Sequence, residues 1–336
     1  MTIWQQKLSL ITIAMLLTTS SGWACWDNSV SDSTNLSNCK TKSRLGDKNA
    51  QYVLGWIYEV GRGVKPNLKE SIYWYKSSAK LGHAIAQYQL SMLYATGQGI
   101  EKNQSKALEW LERSAAKGYP KAMERLGNLN FEGIEGVTLS YTTALEWYSK
   151  LGAKANSKIE NRIGWMYEQG KGAEQSDPKA FQWYLKAAKR GDIENQNIVA
   201  SMYREGKGVR RSYKSAVEWY YKAAAQGSKV SQFHLGVMHG EGEGVKQDFE
   251  KSYYWYRKAA EQGYPPAQYR LSLSHELGLG VKQSRILAHM WCNIAAEGGY
   301  QKALDRVFEL ATKLTSEELA MSKKVAQEWF AKHQGQ

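Results

Sequence analysis

The chain has 336 residues, and its 45 basic and 32 acidic side chains give a formal net charge of +13. Such a balance favours an acidic partner, such as an anionic lipid head group, an acidic protein face or a nucleic acid, or it is a solubilising surface. Nucleic-acid binding finds no further support, because the N-terminal sequence indicates export away from the usual substrate.

Residues 1–24 have the order of a secretory signal. Lys7 supplies a positive start, an apolar core runs from Leu8 to Leu17, and Gly22-Trp23-Ala24 is a small-x-small cleavage site. The apolar stretch is shorter than the about 20 residues that a membrane-spanning helix needs. We therefore expect a mature chain that begins near Cys25 and is periplasmic or secreted.

Residues 25–45 are a polar arm, and its two cysteines leave several interpretations open. In an oxidising compartment Cys25 and Cys39 are expected to pair and hold the arm in place. They could also be two independent thiols. A third possibility is a lipoprotein anchored at Cys25, although Gly22 and Trp23 stand where lipidation signals prefer a branched aliphatic and a small residue.

Tryptophan then recurs at a nearly constant interval. The steps are 36 residues, with one step of 37, between Trp74, Trp110, Trp147, Trp183, Trp219, Trp255 and Trp291. A stack of two-helix units explains this period, because each unit buries its apolar faces only against its neighbours. We therefore expect the recurring Trp to be the bulky anchor of each unit.

Each unit is predicted to be a helix, a turn and a second helix. In the first unit Ala50, Leu54 and Ile57 fall on one helical face. Gly61 then ends this helix, because glycine accepts the left-handed conformation at a helix C-terminus, and Gly63 gives the turn a second permissive joint. The same Gly-x-Gly recurs in the other units, with one extra residue in the third.

Segments such as residues 215–227, Ser-Ala-Val-Glu-Trp-Tyr-Tyr-Lys-Ala-Ala-Ala-Gln-Gly, resemble the Sel-one-like repeat, a relative of the tetratricopeptide repeat. The resemblance covers residues 46–298, and it implies an all-α chain, a right-handed α/α solenoid of seven two-helix repeats with a C-terminal helical cap. The expected repeats are residues 46–81, 82–117, 118–154, 155–190, 191–226, 227–262 and 263–298.

Residues 299–336 leave the pattern and are expected to form the C-terminal capping helices. Thr315-Ser-Glu-Glu318 has the spacing of a capping box and opens a helix with apolar residues at Leu319, Val325, Ala326, Trp329 and Phe330. A solenoid needs such an atypical terminal unit to cover its last apolar face.

Residues for catalysis or metal binding are sparse. His239 and His275 occupy a repeat position that other units fill with Tyr, so packing explains both. His289 and Cys292 lie three residues apart, but two ligands make a poor zinc site, and a thiol at a core Tyr position is expected to be inert. The Gly-x-Gly turns lack the Gly-Lys-Ser/Thr ending of a phosphate loop. We expect no enzymatic activity, no metal and no cofactor.

A partner-binding site is predicted from the positions that differ between copies. On the first helix of each unit one stripe varies strongly, and in tetratricopeptide-like solenoids first helices line the concave face. Arg and Trp are enriched in interface hot spots. The candidate partner-binding residues are Trp56, Lys121, Arg125, Asn128, Lys158, Arg162 and Trp165. The competing interpretation is a solvated helix face with a partly buried Trp.

The resemblance implies a protein-binding scaffold, adaptor or inhibitor whose partner has an acidic face. Exported relatives include envelope and motor assembly factors, signalling regulators, and immunity proteins that neutralise secreted phospholipase effectors. The alternative function, from another class, is binding of a non-protein envelope ligand such as peptidoglycan or anionic lipid.

Overall fold

The computed structural model describes residues 25–333, and its regular elements there are seventeen α-helices and one 3₁₀ turn, with no strand. The chain divides into two compact units, and the division falls between Lys154 and Ala155. Within each unit every first helix packs against its own second helix, and each second helix packs against the next first helix. The predicted all-α solenoid of two-helix repeats is therefore confirmed.

The first unit contains an N-terminal helix and three helix pairs. Their bounds are α1 Asp32–Arg44, α2 Lys48–Val60, α3 Leu68–Lys80, α4 Ala84–Thr96, α5 Gln104–Ala116, α6 Pro120–Glu132 and α7 Tyr141–Leu151, followed by the 3₁₀ turn Gly152–Lys154.

The second unit contains four helix pairs and two terminal helices. Their bounds are α8 Ser157–Gln169, α9 Asp177–Lys189, α10 Ile193–Glu205, α11 Tyr213–Ala225, α12 Lys229–Glu241, α13 Phe249–Glu261, α14 Pro265–Leu277, α15 Arg285–Glu297, α16 Gln301–Ala311 and α17 Ser316–His333. None of the described helices is long and apolar enough to cross a membrane.

The two positions of the Gly-x-Gly turn require glycine for different physical reasons. Gly61 closes α2 in the left-handed conformation, with a φ of 77°. Gly63 also has a positive φ, of 67°, and a Cβ there would lie 2.9 Å from the Cβ of Asp32 at the start of α1. The first glycine therefore ends the helix, while the second lets the turn approach the preceding helix closely.

The more buried anchor is the residue that follows the Trp, a Tyr in five repeats and Leu111 or Cys292 in the other two, so the expectation for Trp was wrong in most repeats. Tyr184 and Tyr220 are 2% and 1% exposed, whereas Trp183 is only partly buried. A Cβ on Gly164 of α8 would lie 2.7 Å from the Tyr184 ring, which explains why a small residue recurs at that position. Of the seven repeat Trp residues, only Trp219 and Trp291 are fully buried.

The polar arm is largely helical. Helix α1 packs against α2, and Cys25 and Cys39 form a disulfide with an S–S distance of 2.01 Å. Cys39 stands 36 residues before Tyr75 and is completely buried. The arm therefore takes the place of a second helix before the first repeat, and its disulfide occupies the position of the anchor Tyr.

The C-terminal helix α17 packs against α15. Its first turn forms the capping box, because the Thr315 N–H donates to Glu318 and the Glu318 N–H donates to the Thr315 hydroxyl. Trp329 lies 5.9 Å from Trp291, measured between ring centroids. This helix thus covers apolar side chains of the last repeat.

Candidate protein-binding face

The candidate residues of the first unit are mostly engaged with other side chains. Lys121 is exposed, but the Arg125 guanidinium lies 2.7 Å from the Glu135 carboxylate in the turn of the same repeat. Asn128 accepts a hydrogen bond of 2.8 Å from the hydroxyl of the anchor Tyr148. The positive charge of Arg125 is therefore largely balanced within its own repeat.

Trp56, also in the first unit, meets the N-terminal arm. Its ring centroid lies 5.9 Å from that of Trp26 in an edge-to-face contact. The Arg62 guanidinium stacks on the other ring of this pair, 4.6 Å from the Trp26 centroid, and forms an ion pair with Asp32. The arm therefore contacts Trp56, a residue that the sequence analysis predicted to bind a partner.

The candidate residues of the second unit lie on α8. Lys158 is exposed, and Arg162 is partly buried. Trp165 is partly buried against the core around Tyr184 and Tyr220. The predicted cluster is thus divided between the two units, and the side-by-side placement of its two halves stays a prediction.

Sequence reasoning missed a set of ion pairs that join neighbouring repeats of the second unit. Glu168 at the end of α8 pairs with Lys207, which stands between the two glycines of the next repeat, at 2.5 Å. One repeat later Arg204 pairs with Glu243 at 2.8 Å. Both residues of the second pair stand 36 residues after their counterparts, so the same contact occurs with its charges exchanged. The sequence did contain a signal for these pairs. At a step of 36 residues Glu168 is replaced by Arg204, while Lys207 is replaced by Glu243, so both charges reverse together.

The Glu168 carboxylate is held in its charged form. Burial raises its pKa, but hydrogen bonds from Lys207 and from the Tyr184 hydroxyl, together with the charge of Lys207, outweigh burial and lower the pKa below the usual value. The pair therefore joins α8 to the following turn at neutral pH.

Exchanging the charges tests this contact. Lys207→Glu is expected to lower the free energy of unfolding by about 1 kcal/mol, because it places two carboxylates together at a partly exposed site. The double variant Glu168→Arg, Lys207→Glu reproduces the Arg204–Glu243 arrangement and is expected to recover most of this loss. Chemical denaturation of both variants measures the effect, and a double variant no more stable than the single one would contradict it.

The histidines of the repeats pack as neutral rings. His234 of α12 stacks on Tyr220, with ring centroids 4.9 Å apart, and burial with the nearby Arg204 lowers its pKa to about 4. His239 Nε2 lies 2.7 Å from the Tyr221 hydroxyl, and burial lowers its pKa as well. The stacking of His234 and the hydrogen bond of His239 therefore explain the presence of both side chains by packing within the repeats.

The low pKa of His234 predicts an acid-sensitive fold. The unfolded chain takes up the proton near pH 6.5, whereas the folded ring does so only near pH 4. The contribution to stability is therefore fully present above about pH 6.5 and falls as the pH drops toward 4, by about 3 kcal/mol for this residue. His234→Phe keeps a ring on Tyr220 without titrating, so its unfolding midpoint should fall less between pH 7 and pH 4.5. Parallel curves for the two proteins would disprove the assignment.

The remaining side chains of reactive types, Cys292 and His289, are buried. Burial raises the pKa of the Cys292 thiol to about 11, and the residue is completely inaccessible. His289 Nδ1 lies 2.8 Å from the Ser322 hydroxyl. In residues 25–333 no group of three or more His, Cys, Asp or Glu side chains is placed to hold a metal ion. What the arrangement offers is a repeated, ordered helical surface.

The comparison with protein families agrees with this repeat structure. The Sel1 repeat model matches residues 48–83, 84–119, 120–156, 160–192, 196–228, 229–264 and 265–300. The chain belongs to the Sel1 repeat family. Sel1 repeats generally mediate protein–protein interactions, so this member is a repeat scaffold of the protein-binding class.

Solved structures show the same fold. A Sel1 repeat protein from Oxalobacter formigenes is 27% identical at a TM-score of 0.55, over 77% of this chain and 99% of that one. A protective antigen of uropathogenic Escherichia coli is 24% identical at a TM-score of 0.50, over 98% and 95% of the two chains. An immunity protein from Pseudomonas aeruginosa is more distant, at 18% identity and a TM-score of 0.35 over 65% of this chain and 83% of that one. The curated proteins contain no match.

Proposed function

We propose that the Sel1 repeat chain is an exported scaffold that binds a protein partner through the exposed faces of its first helices. One observation carries this proposal. In the second unit one position of the first helices, exposed or partly exposed in every copy, holds Lys158, Glu194, Val230 and Pro266, while the packing position six residues later keeps a small residue in every copy. The backbone repeats and the surface chemistry does not, as expected of a face that serves one particular partner.

Export is supported by the disulfide of the N-terminal arm. Disulfides such as Cys25–Cys39 persist in oxidising compartments and are rare in the cytosol. The proposed signal, residues 1–24, lies outside the described residues. The sulfur of Cys25 is already bonded to Cys39, and a lipid thioether would need the same atom. This bond favours a free periplasmic or secreted protein over a lipoprotein.

Charge reversal tests the binding face. Lys121 and Lys158 are exposed on first helices, so Lys121→Glu with Lys158→Glu changes the face without breaking an ion pair. We expect the double variant to bind a partner captured from envelope extract at least tenfold more weakly, because reversal replaces attraction by repulsion.

The matched control is Lys80→Glu with Lys214→Glu, which makes the same change of charge on second helices. It should bind the captured partner like the unmodified protein, and circular dichroism should show the same helical content for all three. Loss of binding in the control alone would place the partner on the second helices and refute the proposed face.

The identity of the captured molecule decides among the finer forms of this function. A secreted effector such as a phospholipase, neutralised when both proteins are produced together, would make the chain an immunity protein. An assembly or signalling component would make it an adaptor. Peptidoglycan or lipid retained in place of any protein would support the alternative of a non-protein envelope ligand.

A further inference from the structure

The excess positive charge of the second unit lies on its second helices. Helices α9, α11, α13 and α15 contain nine basic and five acidic residues, whereas the first helices α8, α10, α12 and α14 contain five basic and six acidic residues. The first-helix charges also form ion pairs with the turns, as Glu168 and Arg204 do. An anionic partner would therefore meet its complement on the second helices.

Three lysines on these helices stand over aromatic rings. The Lys186 ammonium lies 4.3 Å from the Trp183 ring centroid, that of Lys222 lies 3.8 Å from Trp219, and that of Lys258 lies 5.5 Å from Tyr254. The lysines follow each other at steps of 36 residues. We call this set of three lysines and three rings the lysine face.

The same arrangement occurs in the first unit. Lys150 lies 4.1 Å from the Trp147 ring centroid, and the Arg113 guanidinium lies 4.7 Å from that of Trp110. A cation three residues after the repeat Trp is thus a recurring feature of the second helices rather than an accident of one repeat.

The charges of the lysine face are available to a ligand. Lys186, Lys222 and Lys258 are exposed, and none of them forms an ion pair with a carboxylate in the described part of the chain. By contrast, Lys251 and Arg257 are paired with Asp248 and Glu261. A ring beneath an ammonium group restricts the flexible lysine stem, so less conformational entropy is lost when the lysine binds an anion.

Apolar surface accompanies these charges. Tyr221, Phe249 and Tyr254 on the second helices are 38%, 39% and 44% exposed. Exposed rings on the same helices as the lysines, two of them Tyr with an apolar body and a polar tip, suit the boundary between lipid head groups and acyl chains. An acidic protein face or a soluble polyanion would use the charges alone, whereas a lipid surface uses the rings as well.

We propose that the lysine face docks the second unit on a membrane surface that contains anionic phospholipids. The ammonium groups neutralise head-group phosphates, and the exposed rings enter the interfacial layer without any helix crossing the membrane. This surface is separate from the first-helix face, so one scaffold can hold its protein partner while it lies on a membrane.

Vesicle sedimentation tests the proposal. The mature chain should sediment with vesicles of phosphatidylcholine mixed with phosphatidylglycerol, but not with vesicles of phosphatidylcholine alone, and salt should weaken the binding. The triple variant Lys186→Gln, Lys222→Gln, Lys258→Gln is expected to bind about 100-fold more weakly, since each lysine near an anionic surface contributes about fivefold. The matched control Lys158→Gln, Lys229→Gln, Lys302→Gln removes the same charge from the first helices α8 and α12 and from the terminal helix α16, and it should bind like the unmodified chain.

A further variant separates lipid from a soluble polyanion. Tyr221→Ser with Phe249→Ser leaves the charge and the three rings beneath the lysines unchanged, so it should weaken vesicle binding while binding to inorganic polyphosphate stays the same. Equal losses in the lysine-face and control variants would overturn the proposal, as would equal binding to neutral vesicles or binding to polyphosphate alone. The protein partner of the first-helix face should be captured by the lysine-face variant as before, so failure of one proposal leaves the other standing.

Discussion

Tyr220→Ala is expected to lower the free energy of unfolding of the second unit by about 3–5 kcal/mol, the usual cost of emptying a buried aromatic site. The Tyr220 ring is 1% exposed and belongs to the core that includes Ala200 and Met238. Removing it leaves a cavity between the helices of one repeat and also removes the ring on which His234 stacks.

The control for this prediction is Trp183→Ala. Trp183 is partly buried and carries Lys186 on its outer side, so part of its surface stays in contact with water or with a solvated side chain. We expect a loss of about 1–2 kcal/mol, since less apolar area is buried. Denaturation followed by circular dichroism measures both variants. A larger loss for Trp183→Ala than for Tyr220→Ala would restore the Trp as the anchor.

Cys25→Ser with Cys39→Ser is expected to release the N-terminal arm. The disulfide closes a sequence separation of 14 residues, and a bridge over about 15 residues typically contributes about 3 kcal/mol. The other contacts of α1 are mainly polar, because Leu36 is only partly buried and the buried residues of the helix are Asn35, Cys39 and Ser43. The loss should therefore be local.

Hydrogen exchange distinguishes local release from general unfolding. In the double Ser variant the amides of α1 should lose protection, and those of α2 should lose part of it as its apolar face becomes exposed. The helices of the second unit should exchange as before, because stability in a repeat protein is a sum of local terms. Protection of α1 equal to that of the unmodified protein would show that packing alone holds the arm.

The N-terminal arm shows where sequence reasoning stopped. Its residues carry no helical apolar periodicity, since Leu36 is the one large aliphatic side chain in α1 and is itself only partly buried. The helix forms because Ser31 caps its first turn, Cys39 is bonded to Cys25, and Gln51 of α2 donates to the Ser43 carbonyl. The disulfide was expected from the two cysteines, but the Gln51 contact joins two different helices, and no local pattern reveals it.

The candidate partner-binding residues show a second reason why the sequence was not sufficient. Lys and Arg can be counted in the sequence, but whether a charge is available depends on what lies beside it. Arg125 is balanced by Glu135, and Lys207 is balanced by Glu168, while Lys186 and Lys222 stand on rings without a carboxylate. The basic stripe predicted on the first helices is therefore less basic than its residues suggest, and the available charge lies on the second helices.

The sequence by itself determined the helical class, the seven-fold repeat and the ends of the helices. These follow from local rules, namely apolar periodicity, capping residues and glycines with positive φ, repeated at steps of 36 residues. The tertiary structure alone decided that Tyr rather than Trp fills the core, that the arm acts as an extra helix, and which charges are paired. Neighbours on a helix differ by about 100° in direction, so only the packing of one helix on another determines which of two adjacent rings points inward.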